Sequence, residues 1–566
     1  MLGYRLNLKV FYLACILFFS SSCTYAQVLP PANLNAGAAT KTNQNFIEKH
    51  IKESVKENDA NIKPISDIEP AKPVEGKIEA IDNSIFIEKI IVENCELLTK
   101  EEINNIISKY EKKNLTINDL KAIVREINNI YIDYGILTAL AYLPPQDITG
   151  NTVKIKVIEG KVGKIEVLGN NHTRKNYIKG ALHQKEGDII FLPELKDDIL
   201  SFNRSNDVKL KARITKGKAF GTSDIIINAE ELNPYHLLFS FDNTGRENIG
   251  ILKYGATVQH DSLLGYRDRL TVSYGRAKTT DVVSTSYSLP IGHKGLRVGG
   301  SFGYGGIAIS SGILKPLDIE GKSFSYSVFA NKPIINTPKF SLSSNTGFNF
   351  KKVTTFIQKR PLSEVVVDSP STQVRSLVFS LAASERDKTG QWAHTSDFHT
   401  GFDILGGKES FFKYTGDLTR LQSLGKGHLL ILRAATQLTG NELPPCEQFQ
   451  IGGSSSVRGY SEGLLIGDKG YLFSGEWRFP LKFLPTSIGK LRIKDNFQGA
   501  FFAETGAAFP KNYVRSRQTA TSVGIGLRTQ VTKYVSAKVD YGFGLVNRTS
   551  DQPVARLHFG LEAMPF

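Results

Sequence analysis

From His236 to Phe566 apolar and polar residues alternate along the chain. Leu237, Phe239 and Phe241 alternate with Leu238, Ser240 and Asp242, and Tyr254, Ala256 and Val258 alternate with Gly255, Thr257 and Gln259. The same period recurs at 269–274, 535–541 and 555–563. Successive side chains of a strand point to opposite faces, so each stretch predicts a strand with one apolar and one polar face. The length allows about sixteen strands, the class of closed sheet that leaves a water-filled lumen. A soluble sandwich would alternate in the same way. What separates the two is charge, which recurs here on one face of strand after strand.

Upstream the period changes. Between 84 and 160 a strand at 85–92 precedes Thr99-Lys100-Glu101-Glu102, a capping box that opens a helix. Thr116 caps a second helix, whose Leu120, Ile123, Val124, Ile127, Ile130 and Tyr131 share one face, and Gly135 ends it. Strands at 136–143 and 152–158 follow. Residues 161–232 repeat the plan with strands at 164–168, 208–215 and 224–230 and helices at 174–182 and 192–202. Two βααββ units in tandem form an internal repeat. Their sheet edges either serve as inert spacers or pair with an extended visitor. Further upstream, Ile47, Ile51 and Val55 make an apolar stripe opposite Lys and Glu. This reads as a short helix in the segment 27–58, followed by a Pro-containing linker over 59–83. It is either a frayed tail or a removable plug on a tether.

Composition adds to this picture. The chain of 566 residues has 50 Gly, 21 Tyr and 33 Phe but only 2 Met and 2 Trp, a balance suited to tightly turned, aromatic-rimmed barrels. The net charge is +15 and the pI about 9.3. No dense Lys/Arg stripe with interleaved aromatics occurs, so a basic lumen or a surface facing anionic lipid explains the charge better than nucleic acid does. Residues 1–26 read as a secretory signal, with Arg5 and Lys9 before an apolar run too short to span a bilayer. Cys23 follows three serines, but Ser20 stands where a lipoprotein signal has Leu. Past residue 26 only Cys95 and Cys446 remain, in different predicted domains, so neither a disulfide nor a metal site is expected. No later stretch makes a transmembrane helix, so an exported chain of this kind enters a membrane as a closed sheet.

One stretch breaks the alternation. Within the loop 446–470, Gly452 and Gly453 act as hinges, three serines follow, and Val457-Arg458-Gly459-Tyr460 presents one guanidinium on a compact, bendable tip. Catalytic motifs are lacking. Gly321-Lys322-Ser323 looks like the end of a Walker A motif, but Pro316 stands where its first Gly is required. No HExxH, GxSxG or CxxC appears. Neither enzymatic chemistry nor a cofactor or metal is expected.

The order of several short motifs resembles the transporter half of two-partner secretion systems, the hemolysin secretion and activation protein family. Tyr134-Gly135, Leu143-Pro144-Pro145-Gln146 and Val157-Ile158-Glu159-Gly160 resemble its first polypeptide-transport-associated (POTRA) domain. Leu192-Pro193-Glu194-Leu195 and Gly221-Thr222-Ser223-Asp224 resemble its second, and Asp242-Asn243-Thr244-Gly245 its first barrel hairpin. Phe449, Gly452-Gly453 and Val457–Tyr460 match the loop signature, and Gly475-Glu476-Trp477-Arg478-Phe479-Pro480 the strand after it. The resemblance implies an all-β transmembrane barrel of about sixteen antiparallel strands over 233–566, two α/β POTRA domains over 84–160 and 161–232, and an N-terminal amphipathic plug helix. It also implies that the Arg458 loop folds back into the lumen and pairs with an acid on the wall. The matching wall motif is Phe502-Ala503-Glu504-Thr505-Gly506, with Glu504 in place of the family's aspartate. The charge is kept and a methylene added, so a pair with shifted geometry is expected. Strand parity puts Phe502, Glu504 and Gly506 on one face. The terminal aromatic Phe566 is expected to serve barrel assembly.

The expected function is export, without ATP, of an unfolded partner exoprotein of hemolysin or adhesin type, held by the POTRA edges and threaded through the pore. The place implied is the outer membrane of a Gram-negative bacterium, with the POTRA domains in the periplasm. Lipid or lipopolysaccharide would surround the barrel, and the barrel-assembly machinery and periplasmic chaperones would act during biogenesis. Nucleic acid is not an expected partner. A barrel-assembly factor shares the loop motif but usually carries more POTRA domains, and a passive porin would need no periplasmic repeats.

Overall fold

The computed structural model describes residues 84–311, 315–361, 372–407, 409–481, 487–488, 491–492, 496–511, 518–532, 534–546 and 554–565. The signal at 1–26, the helix carrying Ile47, Ile51 and Val55, the linker and Phe566 lie outside the described residues.

The first α/β module is built as its caps dictate. Helix Lys100–Ile107 starts at Thr99 and helix Ile117–Asp133 at Thr116, and each cap exchanges hydrogen bonds with the acid three residues on, Glu102 and Asp119. The second helix buries Leu120, Ile123, Ile127 and Tyr131 against a sheet of order Lys89–Glu93, Thr152–Ile158, Leu140–Tyr142. Fully burying one such side chain is worth about 1.5–3 kcal/mol. The predicted strand at 136–143 shrinks to Leu140–Tyr142 because Gly135, at φ +78°, and the turn after it occupy the first half. The strand predicted at 85–92 breaks in two, and Ile85–Ile87 pairs with a short strand Lys113–Leu115 that the pattern did not predict.

The second module repeats the layering. Helices Lys175–Gly180 and Leu192–Ser205 cover a sheet of order Lys161–Leu168, Thr222–Glu230, Lys209–Lys216. It docks on one end of the barrel. The Arg174 N–H donates to the Gly265 carbonyl at 2.8 Å and its Nε to the Leu264 carbonyl at 2.9 Å, while Asn336 Nδ2 donates to the Arg204 carbonyl at 3.0 Å. Arg267, 2% exposed, pairs with Asp207 of the module. The turns at 261–268, 292–295 and 336–339 therefore mark the end of the barrel next to the modules.

The barrel runs from Tyr235–Asp242 to Ala555–Ala563 as sixteen long antiparallel strands, each paired with its sequence neighbour; the two-residue ladder Arg360–Pro361 extends one hairpin. An even number of strands returns the last one to the module end. Period two is visible in exposure. In Ile319–Asn336, Phe324, Tyr326 and Val328 face outward while Ser323, Ser325 and Ser327 alternate with them on the other face. Lys322 and Lys332 bound the outward apolar stretch. Ten residues at about 3.3 Å each, tilted roughly 40°, span about 25 Å, the height of a lipid-facing band. The soluble sandwich is thereby excluded, since both faces of a closed sheet are accounted for by lipid and lumen. Closure is short: only Phe239–Asp242 register with Gly560–Ala563. The Asn243 side chain extends the seam, its Nδ2 donating to the Leu557 carbonyl at 2.8 Å and its Oδ1 accepting from Phe559 N at 2.9 Å.

Candidate functional site: a cationic loop inside the barrel

The connection from His428–Thr439 to Lys469–Pro480 leaves the barrel end away from the modules and folds back inside. A hairpin of Phe449–Ile451 with Leu465–Gly467 forms its stem. Gly452 and Gly453 take φ of +108° and +98°, values that L side chains rarely adopt, and turn the chain inward. The Gly452 N–H donates to Ser456 Oγ at 2.8 Å and the Gly453 N–H to the Val457 carbonyl at 3.2 Å, which fixes the tip. Ile451, Val457, Tyr460 and Leu465 pack on Leu472, Ala508 and Ala520 of the wall.

The tip lies flush on strand Val535–Gly544. A Cβ on Gly459 would sit 2.6 Å from the Gly544 nitrogen, and one on Gly542 would sit 2.7 Å from the Arg458 carbonyl carbon. Glycine on both sides of the contact lets two backbones touch. The Tyr460 hydroxyl donates to the Val546 carbonyl at 2.7 Å and accepts from the Val546 N–H at 3.0 Å. The His558 ring meets the Arg458 carbonyl at 2.8 Å.

Arg458 is 5% exposed and meets three carboxylates. Its backbone N–H and its Nε donate to the two oxygens of Glu504, each at 2.7 Å. Its Nη1 donates to Glu476 Oε2 at 2.6 Å and lies 3.4 Å from Asp540 Oδ1. The guanidinium stacks 3.5 Å over the Phe502 ring. Glu504, Glu476 and Asp540 together compensate the charge of the buried guanidinium. Two further arginines complete the set. Arg478 Nε donates to Glu476 Oε1 at 2.6 Å, and Arg528 lies 2.9 Å from Glu476 and 2.7 Å from Asp540. Three arginines thus face three carboxylates, and the cluster is locally neutral. Asp540 Oδ1 has ion-pair contacts but no aligned N–H, so it is the least firmly held of the three.

Several of these groups were absent from the sequence-based site. Glu476 sits in a quoted motif and Asp540 on a polar strand face, yet neither was assigned a partner. Parity was the available signal: Phe473 and Trp477 point outward, which turns Glu476 inward. What joins them is cross-strand register, with Glu476 opposite Phe502, Glu504 opposite Ser522 and Asp540 opposite His558. Glu504 reaches its partner in spite of the extra methylene. Gly506 gives room to Ile451, whose Cδ1 would lie 2.8 Å from a Cβ there.

The POTRA-motif residues lie elsewhere, in and beside the first module. The Glu159 carboxylate accepts from the N–H of Glu96 at 3.0 Å and of Leu97 at 2.9 Å, and from the Tyr131 hydroxyl at 2.7 Å. Burial, then contacts with Cys95 and Glu159, push the Tyr131 hydroxyl well above the usual tyrosine range. The Gln146 amide brackets Lys154, accepting from its N–H at 2.8 Å and donating to its carbonyl at 2.7 Å. Leu143 packs beside the core, next to Pro144. Gly135 and Gly160 face the module junction, where a Cβ on Gly135 would sit 2.7 Å from the Pro193 ring. These residues hold the module together.

The sequence profile of the family described as "Haemolysin secretion/activation protein ShlB/FhaC/HecB" matches residues 221–529, and a ShlB-type POTRA domain profile matches 85–160. The chain is 24% identical over 480 residues to the Heme/hemopexin transporter protein HuxB of Haemophilus influenzae strain 86-028NP, covering 82% of this chain and 83% of that one. It is 22% identical over 482 residues to the Outer membrane transporter CdiB of Dickeya dadantii, covering 81% and 82%. The solved structure of CdiB from Escherichia coli superposes with a TM-score of 0.62 at 18% identity, over 95% of this chain and all of that one. BamA from Haemophilus ducreyi lacking POTRA domains 1–3 superposes with a TM-score of 0.56 at 17% identity over 85% of this chain.

Proposed function

The chain belongs to the haemolysin secretion/activation protein family ShlB/FhaC/HecB, outer-membrane transporters, and on that premise we propose that it recognises an unfolded partner exoprotein through its two α/β modules and exports it through the barrel without ATP. The observation that carries the reading is the Arg458 loop, held inside a lumen whose module end faces the periplasm. In this resting arrangement the loop fills the pore. An extended segment adds to a module edge by backbone hydrogen bonding, the loop shifts, and the segment threads outward along a polar wall. Folding of the exoprotein outside gives the direction. Residues 47–55 act as a second obstruction that leaves the pore before export. The modules span 84–160 and 161–232, and the barrel 233–566. Lipopolysaccharide packs on the outward band, and barrel-assembly machinery with periplasmic chaperones delivers the chain to the membrane.

Fold alone does not choose between export and barrel assembly, since BamA shares it. Export is favoured by the family profile across the barrel and by two modules rather than more. The test is co-expression with a large exoprotein encoded beside this chain's gene, followed by reconstitution in vesicles free of nucleotide. The exoprotein is expected outside the cell and inside nucleotide-free vesicles only when this chain is present. Secretion that needs added ATP, or that proceeds without the chain, refutes the proposal.

A further inference from the structure

The lumen loop is held at a second point, outside Phe449, Gly452-Gly453 and Val457–Tyr460. Glu447 opens the loop, and its side chain is 3% exposed. Its Oε1 lies 2.6 Å from Lys351 Nζ and its Oε2 lies 2.6 Å from Lys413 Nζ. Its backbone carbonyl accepts from Lys413 Nζ and from Gln437 Nε2, each at 3.0 Å. Lys351 belongs to strand Phe340–Ile357 and Lys413 to Phe411–Gly425, with two other barrel strands between them. No ladder hydrogen bond brings these two ammonium groups together; the single carboxylate does. His399 stands close enough to feel both lysines and Glu447. The far end of the loop is tied to the same place. Gln437 Nε2 also donates to the Asp468 carbonyl at 2.9 Å, and Asp468 Oδ1 accepts from the Leu443 N–H at 2.8 Å.

The two anchors differ in charge and in position. Arg458 carries a cation to an acidic wall reaching to strand Val535–Gly544; Glu447 carries an anion to a basic wall reaching to Phe340–Ile357, across the closed strand order. Withdrawing Arg458 alone leaves Glu447 and its two lysines in place. Full exit of the loop requires both contacts to break, and it leaves Lys351 and Lys413 facing each other without a counter-ion.

We propose that Glu447 is a second latch, which fastens the root of the loop to Lys351 and Lys413 and must open, together with the Arg458 contact, before the pore clears. This rests on the reading of the loop as a movable obstruction.

Cys446, next to the latch, is a native reporter. It adjoins Glu447, whose charge disfavours the thiolate, whereas the cations Lys351 and Lys413 favour it. The experiment uses the full-length chain in outer membranes, with Cys95→Ala as background, and measures labelling of Cys446 by a membrane-impermeant maleimide. Heat-modifiable mobility reports barrel integrity. Glu447→Gln should raise the labelling rate by about tenfold or more, the population shift that losing a charge-assisted contact produces. Lys351→Met is the sharper variant, because it removes a cation that favours the thiolate. Faster labelling there reports access and not thiol acidity. The exchange Glu447→Lys with Lys413→Glu should bring labelling back toward the parental rate. Parental labelling in a folded Lys351→Met barrel overturns the latch. Conductance in planar bilayers is scored in parallel: accelerated labelling with parental conductance keeps the latch and refutes the reading of the loop as the obstruction.

Discussion

Replacing Arg458 by alanine removes the centre of the lumen cluster. The variant loses the Nε bond to Glu504, the Nη1 bond to Glu476, the contact with Asp540 and the stacking on Phe502. The backbone N–H bond to Glu504 survives, as does the Ser522 hydroxyl at 3.2 Å. Three carboxylates then face two arginines, and Glu504, whose side chain is 3% exposed, is left without a cation. Breaking a buried pair by removing one partner costs about 3–5 kcal/mol. The barrel itself is held by ladder bonds on sixteen strands, so the cost falls on the loop-in state and not on closure. At about 1.4 kcal/mol per decade, that shifts the loop equilibrium by roughly two to three and a half decades. Two assays read the result. In planar bilayers the open fraction should rise, and in cells exoprotein secretion should collapse while heat-modifiable mobility stays normal. Arg458→Lys keeps the charge but loses the fork and the stacking, so it should fall between. A folded Arg458→Ala protein with parental conductance and parental secretion refutes the pairing role.

Other predictions follow from individual contacts. Gly459→Ala drives a Cβ into the Gly544 backbone, so it should cost about 1–3 kcal/mol of loop docking and raise conductance without touching any charge. Gly542→Ala should do the same from the wall side. Asp119 is held below the usual carboxylate range by its hydrogen bonds to the Thr116 N–H and hydroxyl. A depressed carboxylate stabilises the fold above its unfolded value near 4, and that stability is lost as pH falls through the folded value. Amide protection in helix Ile117–Asp133, taken relative to intrinsic exchange at each pH, should therefore fall below about pH 4, and Asp119→Asn should flatten that dependence. Arg267→Ala leaves Asp207 unpaired at the junction, so small-angle scattering in detergent should show the second module sampling a wider range of angles. An unchanged scattering profile would mean that the Arg174 and Asn336 contacts suffice.

Much of the barrel was legible because a half-lipid, half-water sheet forces a two-residue period, as along Val535–Tyr541. The capping box at Thr99 and the cap at Thr116 were legible because a cap needs only residues a few positions apart. The strand at 136–143 was misjudged because local apolarity cannot reveal that Gly135 turns the chain. The Arg458–Glu504 contact was inferred from resemblance, whereas Glu476, Asp540 and Arg528 needed register across four strands, which one sequence does not display. Glu447 was harder still. Nothing local marks it, and its partners Lys351 and Lys413 lie far off in sequence and on strands that do not touch.

The most direct test of export through the lumen is photo-crosslinking during secretion. A photo-reactive residue is placed at Ser327, on the face opposite the exposed Val328, or at Val328 itself, which is 61% exposed on the lipid face. With an exoprotein arrested partway, adducts are predicted at position 327 and none at 328. Adducts at 328, or none at 327 while secretion continues, would contradict passage through the barrel.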